Sequence, residues 1–413
     1  MKTRQFLLTI AALAFSLAAK SQTFDEFFTD NTLRLDYIFA GDRNSQAIYV
    51  DELVKTKHWY GRRKRLDQVP FEGNGQITVI DSVSGSVIYR HSFSTLFQEW
   101  LSSDESKTTP KSFENVFLVP FPKQTVKIKV ELFDFHRKTF ASMTHSVNPA
   151  DILIRYVEKP TSQCVTIQQA ADTTNCIRIA YVAEGYTKDQ LDDFVNDCKV
   201  AASALFEHEP FKKMQSSFNL VGVFTPSEQQ GTSTPHEGRW NNTILGSHYD
   251  TFYSKRYLTT LHLKRLHDIL VCSPYEHIIV LVNTEPYGGG GIYNSYTLTS
   301  TKGPLFRPVV VHEFGHSFGG LADEYEYADT DPMYFSDTEP WEPNITTKAD
   351  FSQKWQNLID EGKAGLVEGG GYQSKGVWRG LPDCRMRTNE CKAFCPVCQR
   401  AIERLIQYYT QED

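Results

Sequence analysis

Val309-Val310-Val311-His312-Glu313-Phe314-Gly315-His316-Ser317-Phe318-Gly319-Gly320-Leu321-Ala322-Asp323-Glu324-Tyr325 decides how this chain is read. The valines lead an apolar run into two histidines spaced i and i+4, which places both side chains on one face of an α-helix. His312 and His316 can then reach one metal ion, with Glu313 projecting beside them. A carboxylate in that position can accept a proton from a water activated by the metal and deliver it to a leaving amine. Gly319 and Gly320 follow within a turn of His316, where glycine ends a helix and lets the chain swing back. The return brings Asp323 or Glu324 to the metal as a third protein ligand, leaving a fourth position for water. The expected cofactor is one zinc per chain.

Two histidines and a glutamate at this spacing also arise by chance, so the surroundings count. Upstream, Glu285-Pro-Tyr-Gly-Gly-Gly-Gly-Ile292 lets another backbone approach closely. An edge strand there can pair with an extended substrate, which makes Gly289, Gly290 and Gly291 candidate substrate-binding residues; a mobile loop is the bland alternative. Downstream, Cys384-Arg385-Met386-Arg387 sets a methionine in a Cys-rich turn. Methionine is ordinarily core filler, so Met386 gains meaning only beside the metal motif. Tyr325 and Tyr372 are candidates to stabilise a developing oxyanion.

Together these residues resemble the metzincin clan of zinc peptidases, whose motif is His-Glu-x-x-His-x-x-Gly-x-x-His/Asp with a later methionine turn. His312, Glu313, His316 and Gly319 match, and Met386 is the candidate methionine-turn residue. The clan's third-ligand position falls on Ala322, which cannot bind metal, and an extra residue in the glycine turn restores the register at Asp323. A closer resemblance is to the IgA-specific metalloendopeptidase family. It is carried by His312 to Tyr325, Ala183-Glu-Gly-Tyr-Thr187, Ser247-His-Tyr-Asp-Thr-Phe252, Val282-Asn-Thr284 with the glycine run, and residues 384–398, over roughly residues 177–411. The resemblance implies a zinc endopeptidase with Asp323 as third ligand, Glu313 as general base, a preceding accessory β-domain, and a protein or glycoprotein substrate that need not be IgA.

The chain has 413 residues, enough for two domains. The expected architecture is an all-β N-terminal sandwich, 22–160, followed by an α/β metzincin-like zinc peptidase domain, 161–413. In the first part, short runs at 33–39, 48–55, 76–81, 86–92, 114–120 and 125–133 are rich in Val, Ile, Tyr and Phe and are separated by turn residues, as in a sandwich. Residues 93–101 read as a helix and the polar stretch 158–172 as a linker. Beyond it, strands at 177–182, 218–224 and 278–282 alternate with helices at 188–205 and 258–270. The basic run 62–65 reads as solvated surface rather than a binding patch.

Lys2 and Arg4 precede an apolar run over 6–19, and Ala19 and Ser21 end it as small residues do before a signal-peptidase cut. Residues 1–21 are therefore expected to be a signal peptide, cleaved near Ser21–Gln22, and the mature protein to be periplasmic or extracellular. No apolar stretch reaches transmembrane length. A net charge of −7 argues against nucleic acid as a partner. Of eight cysteines, four crowd into Cys384, Cys391, Cys395 and Cys398. Disulfides are expected there because of the export signal, although the spacing of Cys395-Pro-Val-Cys398 also suits a zinc knuckle. A different class of function, an envelope glycan- or protein-binding protein with a structural zinc, would need no general base; Glu313 argues against it. Substrate, disulfide pairing and oligomeric state are not encoded in these patterns.

Overall fold

The alternating apolar runs of the N-terminal third become strands in the computed structural model, which describes residues 23–158, 162–328 and 332–411. The expected signal peptide and its cleavage point lie outside those residues. After a short helix α1 (Phe24–Phe27), strands β1 (Phe28–Gly41), β2 (Gln46–Lys57), β3 (Gly75–Asp81) and β4 (Val87–Phe93) lead to helix α2 (Leu96–Trp100). Strands β5 (Lys111–Pro122), β6 (Val126–Phe133), β7 (Thr139–Val147) and β8 (Arg155–Val157) follow. They form two four-stranded sheets, ordered β5-β1-β2-β8 and β4-β3-β6-β7. Alternate residues of β1, among them Leu33, Leu35, Tyr37 and Phe39, point into a core shared with Ile77, Val79, Phe93 and Phe117. The Phe93 and Phe117 rings, one from each sheet, lie 4.2 Å apart.

The second part is a six-stranded mixed sheet with the order β13-β14-β12-β10-β11-β9. Its elements in chain order are β9 (Gln163–Gln168), β10 (Ile177–Glu184), α3 (Leu191–Phe206), β11 (Phe218–Phe224), α4 (Leu263–Ile269), β12 (His277–Val282), β13 (Gly289–Ile292), β14 (Tyr296–Ser300) and α5 (Phe306–Ser317). The central pairs β10–β11, β10–β12 and β12–β14 are parallel, while the edges β9 and β13 run antiparallel. Central strands are buried on both faces, so β10 and β12 read as nearly unbroken apolar runs. Ile177, Ile179, Tyr181 and Ala183 face the helical layer of α3 and α5, and Ala180 and Val182 face the opposite way. The chain ends with β15 (Glu326–Tyr327), β16 (Ile345–Thr346), α6 (Gln356–Asp360), β17 (Val367–Gly370), β18 (Tyr372–Arg379) and α7 (Pro396–Thr410); β15 to β18 make a small sheet beside α5.

Four sequence expectations need correction. The polar stretch 158–172 is not simply a linker: it contains β9, an edge strand on β11. An edge strand with one solvated face tolerates the polar residues that had suggested a loop. The helix expected over 258–270 is confined to Leu263–Ile269; ahead of it, Leu258 N–H donates to Gly289 O at 3.5 Å and the chain runs beside β13. The basic run 62–65 is not merely solvated. Arg62 lies 4.8 Å over the Tyr89 ring, Arg63 pairs with Asp30, and Arg65 donates to Tyr408 O at 3.0 Å, tying the β-sheets to α7. Lastly, the disulfide among the described residues joins Cys164 to Cys272. Cys384, Cys391, Cys395 and Cys398 are free thiols.

The two parts are knit together. Arg34 donates to Asp268 at 2.6 Å, Arg178 to Tyr60 O at 2.7 Å and Trp341 to Asn74 at 2.7 Å, while Ser94 N–H donates to Tyr293 O at 3.0 Å.

Candidate metal centre

Helix α5 carries the decisive segment. Its Val310, Val311 and Phe314 are buried in the core beneath the six-stranded sheet, while His312, Glu313 and His316, on the other side of the helix, are only partly buried. The imidazoles are oriented by the backbone around them. His312 Nδ1 lies 2.9 Å from Arg385 O, and His316 Nδ1 lies 2.6 Å from Leu321 O. A carbonyl only accepts, so each Nδ1 carries a proton and each Nε2 is the ring nitrogen left to face a metal ion. The two Nε2 atoms are 3.0 Å apart.

The chain returns as the glycine pair suggested. Gly320 has φ of +60°, its N–H donates to His316 O at 3.0 Å, and Leu321 N–H donates to Gly315 O at 3.1 Å. These bonds close the helix with a left-handed cap. Ala322 is then held by Asn344, whose side chain bonds both Ala322 N–H and Ala322 O. Asp323 follows and turns inward, with Oδ1 at 3.0 Å from His312 Nε2 and 3.3 Å from His316 Nε2. Tetrahedral zinc with nitrogen ligands at about 2.05 Å would set such donors about 3.3 Å apart, so the three atoms are spaced to hold one ion. Glu324, the other candidate third ligand, faces away from the histidines toward Cys398.

The electrostatics match this arrangement. Burial would raise Asp323, but the neighbouring His316 and His312 hold it well below the usual carboxylate range. Burial would lower His316, yet the Asp323 carboxylate raises it to about 9. Tyr372, a candidate oxyanion stabiliser, instead donates its hydroxyl to Asp323 Oδ2, and its ring stacks on Tyr327. With side chains 14 % and 16 % exposed, His312 and His316 are still reachable from solvent.

Glu313 is pushed above its ordinary value by burial. The glycine strand β13 makes room for it: a Cβ on Gly289 would lie 2.8 Å from Glu313 Oε1, and one on Gly291 only 2.2 Å from Glu313 O. Gly289 and Gly291 therefore let strand and helix touch, which a mobile loop would not require. Gly290 faces Tyr257, whose ring a Cβ there would meet at 2.7 Å. β13 is the edge of its sheet, with Tyr257 and Leu258 lying along part of its outer side.

Met386 is fully buried beneath α5, and a Cβ on Gly315 would lie 2.6 Å from its sulfur. The same turn supplies Arg385 O to His312 and Met386 O to Glu324 N–H at 2.8 Å.

Sequence reasoning missed Glu99. It comes from α2 in the N-terminal part, accepts a hydrogen bond from Tyr257, and is pushed up to about 7 by burial, with Asp323 and Glu313 close enough to add to the shift. No local spacing links residue 99 to residue 313, so only the fold brings them together.

A family model described as IgA Peptidase M64 matches residues 165–365, and another, described as Peptidase M64 N-terminus, matches residues 23–144. The matched segments take in most of the chain and end before the Cys384–Met386 turn. No curated protein matches it.

Proposed function

Since this chain belongs to the IgA peptidase M64 family and is a metallopeptidase, we propose that it is an exported zinc endopeptidase of metzincin-like build that cleaves a protein or glycoprotein. The observation that carries the reading is the convergence of His312 Nε2, His316 Nε2 and Asp323 Oδ1, 3.0 to 3.3 Å apart, beside Glu313. Two imidazoles and a short carboxylate are an ordinary donor set for zinc with one position left open. Zinc, when bound, supplies Lewis acidity that polarises the scissile carbonyl and acidifies water.

The rest falls to the chain's own residues. Glu313 takes a proton from the attacking water and passes it to the leaving amine, and its raised pKa brings it closer to neutrality for both transfers. Tyr372 holds Asp323 in place, and the carbonyls of Arg385 and Leu321 fix the imidazole tautomers. Met386 forms the floor under α5. Of the three glycines, Gly289 is already bridged to Tyr257, so the substrate strand would lie antiparallel to β13 beyond that bridge, toward Gly291. The Cys164–Cys272 disulfide suits the oxidising compartment that the leader implies.

The test is to incubate the full-length purified protein with IgA, mucins and other secreted proteins and to map new termini by mass spectrometry. Chelator-sensitive cleavage within a polypeptide, restored by zinc, is expected. Cleavage confined to peptidoglycan amides, or none restored by zinc, would overturn the proposal.

A further inference from the structure

Asp323 and Glu324 are neighbours that face different clusters. Asp323 meets the histidines, whereas Glu324, wholly buried, meets three sulfurs. Cys398 Sγ lies 3.1 Å and Cys395 Sγ 4.0 Å from Glu324 Oε1, and Cys384 Sγ lies 3.7 Å from Cys398 Sγ. All four donor atoms fall within 4.8 Å of one another. Glu324 Oε1 also accepts from Asn344, but Oε2 is buried with no hydrogen-bond partner. A buried carboxylate oxygen without a partner is costly unless a cation completes it.

We propose that Cys384, Cys395, Cys398 and Glu324 form a second metal site, a closed structural site for a thiophilic divalent cation such as zinc. Tetrahedral zinc with sulfur at about 2.3 Å sets sulfurs about 3.8 Å apart, and the Cys384–Cys398 separation of 3.7 Å matches. A disulfide would need about 2.0 Å and would leave the Cys395 sulfur and Glu324 buried together without a cation. Cys395 and Cys398 have the two-residue spacing of structural zinc sites, with Pro396 starting α7 between them. Cys395 N–H already donates to Cys384 Sγ at 3.1 Å, which aims that sulfur into the cluster.

The site's place gives it a task. Cys384 begins the turn whose Arg385 carbonyl orients His312 and whose Met386 carbonyl accepts from Glu324 N–H. A cation binding Cys384, Glu324 and α7 would fasten that turn and the Asp323 segment to one point. The inference stands apart from the peptidase reading, because it needs no residue of the histidine site.

The test uses full-length protein, purified with zinc, alongside a His312→Ala/His316→Ala variant and a Cys395→Ser/Cys398→Ser variant. Wild type should carry two metals per chain. The histidine variant should keep one and, with cobalt substituted, show sulfur-to-cobalt charge-transfer absorption; the cysteine variant should lose that absorption. If the cysteine variant does not fold, the spectrum of the histidine variant still decides. A histidine variant without metal or thiolate absorption, with a Cys384–Cys398 disulfide found by peptide mapping, would overturn the proposal. A wild type whose single metal shows thiolate absorption that survives in the histidine variant would support it and count against the histidine site instead.

Discussion

Gly289→Ala should damage hydrolysis without releasing the metal. The added Cβ would lie 2.8 Å from Glu313 Oε1, 2.9 Å from Glu313 Cγ and 2.9 Å from Val309 Cγ1, where ordinary contact begins near 3.4 Å. The intrusion is therefore about 0.6 Å, and the carboxyl end of Glu313 is the part free to give way. Displacing a catalytic group by 1 Å can cost about 100-fold in rate, so a shift of this size should cost about tenfold, or ~1.4 kcal/mol of barrier. The three nearest atoms belong to Glu313 and Val309, not to His312, His316 or Asp323. Steady-state kinetics on a quenched fluorescent peptide, paired with metal analysis of the same preparation, separates the effects. The rate constant kcat should fall with about one metal at the histidine site retained, and adding Gly289→Ala to Glu313→Gln should change little further. Activity within twofold of wild type, or loss that tracks loss of metal, would refute the reasoning. Gly291→Ala is the contrast. Its Cβ would sit 2.2 Å from Glu313 O and 3.0 Å from His316 Cβ, so strand and helix must part. Stability should drop by about 1–3 kcal/mol or more, with metal and activity falling together.

Further outcomes are expected at the ligands and the cap. Asp323→Asn keeps the shape but not the charge, and should weaken binding at the histidine site by at least about 100-fold in a chelator competition, beyond the range for residues that only support a ligand. His316 is raised to about 9 in the metal-free protein, so it holds a proton that the metal must displace. Affinity should therefore rise about tenfold per pH unit from pH 7 toward 9 and flatten above, with one proton released, as calorimetry in buffers of different ionisation heat would show. Gly320→Ala places a side chain at φ +60° and 2.9 Å from the Trp341 ring, and should lower stability by about 1–2 kcal/mol in thermal denaturation.

The metal motif was legible because its geometry is local: i and i+4 on one helix, a glycine cap, then a carboxylate. Local pattern also identified β10, β11 and β12, whose mostly apolar runs follow from burial on both faces. It failed where tertiary contacts decide. β9 is polar because it is an edge. Residues 62–65 are charged, yet Arg62 and Arg65 pack on Tyr89 and Tyr408. Sequence could not choose between Asp323 and Glu324 without the family resemblance, since either is within reach of a returning chain. The backbone after Gly320 separates them, sending one to the histidines and the other to the cysteines. The cysteine cluster was visible, but the expectation of an exported chain favoured disulfides, and only the fold placed Glu324 among the three thiols. Glu99 and Tyr257 reach the site from distant parts of the chain and left no local trace.

The central claim is that Glu313 moves the proton while His312, His316 and Asp323 hold the metal. Glu313→Gln, an amide of the same shape that cannot take a proton, tests it most directly. Metal content should equal that of wild type, while peptide hydrolysis falls by a factor on the order of 10²–10⁴. Hydrolysis retained at the wild-type rate by a metal-loaded Glu313→Gln protein would contradict the account.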